Sequence, residues 1–146
     1  FKIIQAKSRD NSRTPMQWDA SLNAGFSTGT PWLKVGKSYK DINVEKEIDG
    51  SIFTFYKELI RLRKEMRIIS EGSYLPAMED SQEVYAFERH LDGQKLLVLN
   101  HFYGSEVEVA IPEDYQTGRL LLSNYDDAEL AEKVILKPYQ TLAILV

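Results

Sequence analysis

Residues 83–102 read EVYAFERHLDGQKLLVLNHF, and this stretch decides the fold. Val84, Ala86 and Glu88 alternate with Tyr85, Phe87 and Arg89, the two-residue period of a half-buried strand. Residues 94–102 are almost continuously apolar, as a central strand covered on both faces would be. Between them stand Asp92 and Gly93. Asp-Gly is a strong hairpin signal, because a type I′ turn needs positive φ at both central positions. Working outward, SYLPAM (73–78) predicts a strand placed at an edge by Pro76. EVEVAI (106–111) predicts another, with Val107, Val109 and Ile111 inward. RLLLSN (119–124), KVILK (133–137) and QTLAILV (140–146) predict three more. Gly104, Pro112, Gly118 and Pro138 fall in or near the joints. Seven short strands with tight connections define a mainly β chain, an antiparallel sandwich of Greek-key type.

Upstream the texture differs. SIFTFYKELIRLRKEM (51–66) predicts a helix with Ser51 as N-cap. Ile52, Phe55, Tyr56, Leu59, Leu62 and Met66 recur at three- and four-residue steps, and Phe53 and Ile60 widen that face. Such a broad apolar face calls for two packing neighbours. Its charged residues form a solvated side, with bases near the helix end to suit the dipole. Residues 1–50 are punctuated by Asn, Pro and Gly, with Trp18, Phe26, Trp32 and Tyr39 spaced among them. Long loops of this kind lie against a larger body or line a site. Trp32 and Tyr39 are expected to pin the loop to a scaffold.

Composition bounds the chemistry. The 146 residues carry a net charge of −4 and 43% apolar residues, a globular composition with no basic stripe for nucleic acid. No apolar run is long enough to span a membrane. With no cysteine there is neither a disulfide framework nor a thiolate metal site, which suits a reducing, cytoplasmic setting. His90 and His101 sit on adjacent strands without a carboxylate cluster, so no metal or other cofactor is expected. Asp126, Asp127, Glu129 and Glu132 lack calcium-loop spacing and predict a solvated loop. No nucleophile with a base partner is visible. A sandwich can bind sugar through exposed aromatic platforms, but both tryptophans lie outside the strand region.

The chemically dense stretch is SRDNSRTPMQWD (8–19). Arg9 and Arg13 carry planar forks suited to bidentate contacts. Asp10, Asn11 and Asp19 can orient them, Pro15 stiffens the segment, and Trp18 offers a wall. On residue chemistry alone this is either a structural ion-pair knot or one side of a polar ligand pocket.

That stretch, followed by NAGFSTGTPWLKV, INVE and SIFTFYKELIRLRKE, closely resembles the α-amylase superfamily (glycoside hydrolase family 13). Within it the match is to the branch that holds oligo-1,6-glucosidases, dextran glucosidases, trehalose-6-phosphate hydrolases and sucrose isomerases. LKPYQTLAILV resembles the closing strand of that family's C-terminal sandwich. The resemblance implies that residues 1–69 are the last loop and helix of a TIM barrel and 70–146 a C-terminal β-sandwich. It implies a parent that hydrolyses α-glucosidic bonds of short oligosaccharides with retention. The catalytic carboxylates would precede Phe1, so the 146 residues alone would be inactive and carry no catalytic residue. It implies that Arg13, or secondarily Arg9, holds the terminal glucose, with Asp10, Asn11 and Trp18 supporting the loop. The expected partners are the oligosaccharide and the rest of the barrel. Faces made for that barrel would favour self-association of the chain alone. Two other readings are a stand-alone sugar-binding sandwich and a scaffold that shields one side of the barrel.

Overall fold

The computed structural model describes residues 9–47 and 52–146. The expected N-cap at Ser51 and the side chain of Asn11 lie outside the described residues. Two compact units are present, Phe1–Glu58 and Leu59–Val146.

The predicted helix is α1, Ile52–Glu65. Arg61 pairs with Glu65 one turn on, a contact worth a few tenths of a kcal/mol, about 0.3–0.5, at such an exposed site. The helix stops because Met66 is extended (φ −110°, ψ 102°), and a second short helix, α2, follows over Arg67–Glu71. Most of the apolar face is uncovered by these residues. Leu62 is buried, but Ile52 is 74% exposed, and Phe53, Tyr56, Leu59 and Ile60 are exposed with it. A periodic face shows that a helix is amphipathic, and these 146 residues leave most of that face uncovered.

All seven predicted strands are present: β1 Leu75–Ala77, β2 Val84–Leu91, β3 Gln94–His101, β4 Val107–Ala110, β5 Arg119–Ser123, β6 Lys133–Leu136 and β7 Thr141–Leu145. They form an antiparallel sandwich. One sheet has the order β1-β2-β3-β7-β5, and the other pairs β4 with β6. The hairpin register runs from Val84↔His101 to Leu91↔Gln94. Asp92 (φ 51°) and Gly93 (φ 82°) both lie in the left-handed region, as the type I′ turn requires. The core between the sheets gathers Val84, Ala86, Leu97, Leu99, Leu142 and Ile144 against Val109, Ile111, Val134 and Leu136. A third, short helix, α3 (Glu113–Gln116), was not signalled by the sequence, and it adds Tyr115 to that core.

The outer face of the larger sheet is covered at one end by α2. Ile68 packs there on Leu96 and Ala143. Arg89 closes the helix end, donating from Nε to the Ile68 carbonyl at 3.0 Å and from Nη2 to that of Gly72 at 2.7 Å. This satisfies acceptors that a helix C-terminus leaves open. His101 is buried, and its Nδ1 and Nε2 lie 3.0 and 2.7 Å from the carbonyl oxygens of Glu83 and Ser105. It therefore clasps two loops. His90 lies 2.7 Å from Glu88 on its own strand. In the acidic stretch, Asp127 accepts from Lys137 Nζ at 2.5 Å.

Candidate functional site

The arginine-rich loop is built on one 3-10 turn, Asp10–Ser12, with Arg9 as its N-cap and Arg13 as its C-cap. The Arg13 N–H donates to the Asp10 carbonyl at 3.1 Å, and Ser12 donates to the Arg9 carbonyl from both N–H (3.2 Å) and Oγ (3.0 Å). The two guanidinium stems thus leave from the two ends of a single turn, and both residues are exposed. Pro15, which follows, is buried and fixes the direction of the exit.

The next segment is tied down by backbone and amide groups more than by aromatic rings. Gln17 Nε2 donates to the Ile42 carbonyl at 2.7 Å, and its own carbonyl accepts the Val44 N–H at 3.0 Å. Trp18 does the same with its backbone, donating to Ala24 at 2.9 Å and accepting from Glu45 at 3.0 Å. Asn43 is the buried pin. It donates to the Tyr39 carbonyl at 2.7 Å and accepts the Lys46 N–H at 3.0 Å.

Asn23, Ala24 and Gly25 form a left-handed run, with φ of 55°, 56° and 65°. A Cβ on Gly25 would stand 2.5 Å from Asp19 Oδ2, so glycine is required there on two counts. Asp19 in turn accepts from the Ser21 hydroxyl (2.5 Å) and N–H (2.8 Å), and these bonds hold its carboxyl below the usual carboxylate range.

Several expected roles look different once placed. Trp32 is 94% exposed and pins nothing among the described residues. Trp18 is half exposed, and its side chain stands beside a loop that its backbone holds. Asp10 supports the turn through its carbonyl oxygen. Gln17 and Asn43, which organise the loop, were not singled out by the sequence, and Asp19, expected to orient the arginines, accepts from Ser21. The signal available was Asn23 and Gly25, residues that favour a turn.

Beside this loop lies an open cleft of about 580 Å³. Pro15, Met16, Ile42, Val44, Ile52 and Phe53 make its walls mostly apolar. Thr14, Gln17, Asn43 and Glu47 are the polar members of the lining.

The comparisons with known proteins match two separate stretches of the chain. The family model of the α-amylase catalytic domain matches residues 1–72, and that of the C-terminal domain of the α-amylase SusG matches residues 84–142. The chain belongs to the α-amylase superfamily, on the branch of the oligo-1,6-glucosidases and trehalose-6-phosphate hydrolases. It is 42% identical to a trehalose-6-phosphate hydrolase of Bacillus subtilis (strain 168) over 96% of this chain and 26% of that protein. It is 45% identical to an oligo-1,6-glucosidase of Halalkalibacterium halodurans over 97% of this chain and 26% of that protein. Among solved structures, a trehalose-6-phosphate hydrolase of Bacillus licheniformis superposes with a TM-score of 0.83 at 45% identity, over 99% of this chain and 27% of that one. The chain thus spans about a quarter of the length of these relatives.

Proposed function

We propose that these residues complete a retaining, exo-acting α-glucosidase. Residues 1 to about 69 supply the last loop and helix of its barrel, and residues 70–146 its sandwich. The observation that carries the reading is the arginine turn. It is a backbone-bonded loop that presents Arg9 and Arg13 from its two ends, within the segment that matches the catalytic domain. Active sites of the barrel fold are built from such loops at one face. The two carboxylates of a retaining site stand roughly 5 Å apart. On this reading they lie outside residues 1–146, and the chain alone hydrolyses no α-glucoside. A reducing, cytoplasmic setting fits the absence of cysteine.

Arg13 holds a hydroxyl of the terminal glucose, and Arg9 matters less for the chemistry. A charge-assisted hydrogen bond is worth about 1.5–3 kcal/mol. Arg13→Ala in the full-length parent therefore lowers kcat/KM by roughly 10- to 100-fold. Arg13→Lys restores little, because an ammonium lacks the planar fork. The test is kinetics on Arg13→Ala and Arg9→Ala made in parallel, with melting temperatures checked. Loss in Arg9→Ala alone moves the assignment to Arg9. Full activity in both makes the loop a scaffold. A panel of isomaltose, trehalose 6-phosphate and sucrose then settles the substrate within the branch.

A further inference from the structure

We propose a second carbohydrate site on the outer face of the larger sheet, distinct from the arginine turn. Strand register places Tyr85 (β2), Asn100 (β3) and Thr141 (β7) in one row across that face, and Asn124, which follows β5, continues it. With neighbouring strands about 4.8 Å apart, the row is about 14 Å long, enough for a short oligosaccharide. The row lies at the end of the face away from Arg89 and Leu96, where α2 packs.

One end of the row is aromatic. Tyr74 and Tyr85 are half exposed and joined through their hydroxyls at 2.7 Å. Phe87 supports both, with ring centroids 5.4 Å from Tyr74 and 6.0 Å from Tyr85. Three rings braced against each other make a stiff apolar platform with a polar rim, which suits the C–H face and hydroxyl edge of a pyranose.

The rest of the row is polar and already oriented. Asn100 Nδ2 donates to the Tyr85 carbonyl at 3.2 Å, and its Oδ1 accepts from Thr141 Oγ1 at 3.1 Å. Asn124 Nδ2 donates to the Tyr139 carbonyl at 3.0 Å, and its Oδ1 accepts the Thr141 N–H at 2.8 Å. Each amide is thereby clamped at both ends. Each still holds one N–H and one lone pair beyond the bonds described, since a side-chain amide offers two of each. Fixed groups that donate and accept side by side match hydroxyls, which do both. Clamping also lowers the ordering cost of binding. The choice of a gluco-oligosaccharide over other sugars rests on the proposed function above.

The test is a titration of the ¹⁵N-labelled 146-residue chain with isomaltotriose and with maltotriose, following the side-chain amides of Asn100 and Asn124. Saturable shifts of both amides are expected. Tyr85→Ala and Asn124→Ala each weaken binding by about tenfold or more, and Tyr85→Phe keeps it within about threefold. Retained backbone dispersion separates lost binding from lost folding. The proposal is overturned by unmoved amides at the highest soluble sugar concentration, or by binding indifferent to Tyr85→Ala. It is also overturned if hydroxyl-radical footprinting of the full-length parent shows Tyr74 and Tyr85 protected without sugar, which makes the face a domain interface. Failure of the arginine reading would show as unchanged kcat/KM in the Arg13→Ala parent and would leave these amide shifts in place, so the two ideas fail separately.

Discussion

Tyr115 offers a test of how this sandwich balances polarity against packing. Its ring is 2% exposed and belongs to the core between the sheets, yet its hydroxyl closes no hydrogen bond of ordinary geometry among the described residues. Burial first, then the charge of Glu88 and a poorly aligned hydrogen-bond contact with it, push the phenol well above its usual range. An unsatisfied buried hydroxyl costs about 1–3 kcal/mol. Tyr115→Phe removes that group and keeps the ring, so it stabilises the chain by about 1 kcal/mol, which raises the melting temperature by about 4–8 °C for a unit of this size. The gain must grow in alkali. Because the folded pKa is raised, the contribution of the neutral phenol is complete below the unfolded pKa near 10 and is lost as pH climbs toward the folded value. In that window the folded chain keeps a proton that the unfolded chain releases, so stability falls by about 1.4 kcal/mol per pH unit. The phenylalanine variant lacks this loss. The assay is thermal unfolding of both chains by circular dichroism from pH 7 to 11. Lysines titrate equally in the two, so the difference isolates the phenol. A variant less stable than the parent at pH 7 would show that the contact with Glu88 is a working hydrogen bond. A constant difference across the pH range would remove the burial argument.

Other outcomes follow from packing and charge. Leu97 is fully buried in the same core, and Leu97→Ala costs about 2–5 kcal/mol, read from the denaturant midpoint. Gly25→Ala forces a Cβ into Asp19 at positive φ and costs about 1–2 kcal/mol locally. Amide exchange at Trp18 and Asp19 then accelerates by a factor of about 5–30, while the sandwich is unaffected. The Lys95 hydrogen bond and charge hold the Asp114 carboxyl below the usual range, so its contribution is present at neutral pH and lost as pH falls through that lowered value. Asp114→Asn should lower the melting temperature slightly at pH 7. The difference vanishes in acid and shrinks with added salt.

The strands were legible because each carries its own signal. Alternation in 84–89 and 106–111, the Asp92-Gly93 turn and the apolar run of 94–102 are local patterns, and the two-residue turn sets the register of the β2–β3 hairpin. The four-residue α3 carries no cap and no repeat, so only the buried Tyr115 reveals its purpose. What covers the α1 face was not legible for a different reason. Periodicity states which side is apolar and is silent on what covers it. In the loop, Asn23 and Gly25 are residues that tolerate positive φ, but Ala24 is not, and its conformation is imposed by the backbone bonds it accepts from Trp18 and Asp19. The row of Tyr85, Asn100, Asn124 and Thr141 had no sequence signature, because its members come from four separate segments and meet only through the order β2-β3-β7-β5.

The place of β7 in the larger sheet also sets a schedule for synthesis. It lies between β3 and β5, pairing with both, although β5 is made well before it. Until residues 141–145 leave the ribosome, β5 has no neighbour in its own sheet, and the edge of β3 away from β2 is unpaired. At roughly 5–20 residues per second, the nascent chain carries open strand edges for seconds. Those edges are the segments that a holding chaperone would find, and a ribosome stalled between β6 and β7 would leave a chain that cannot close.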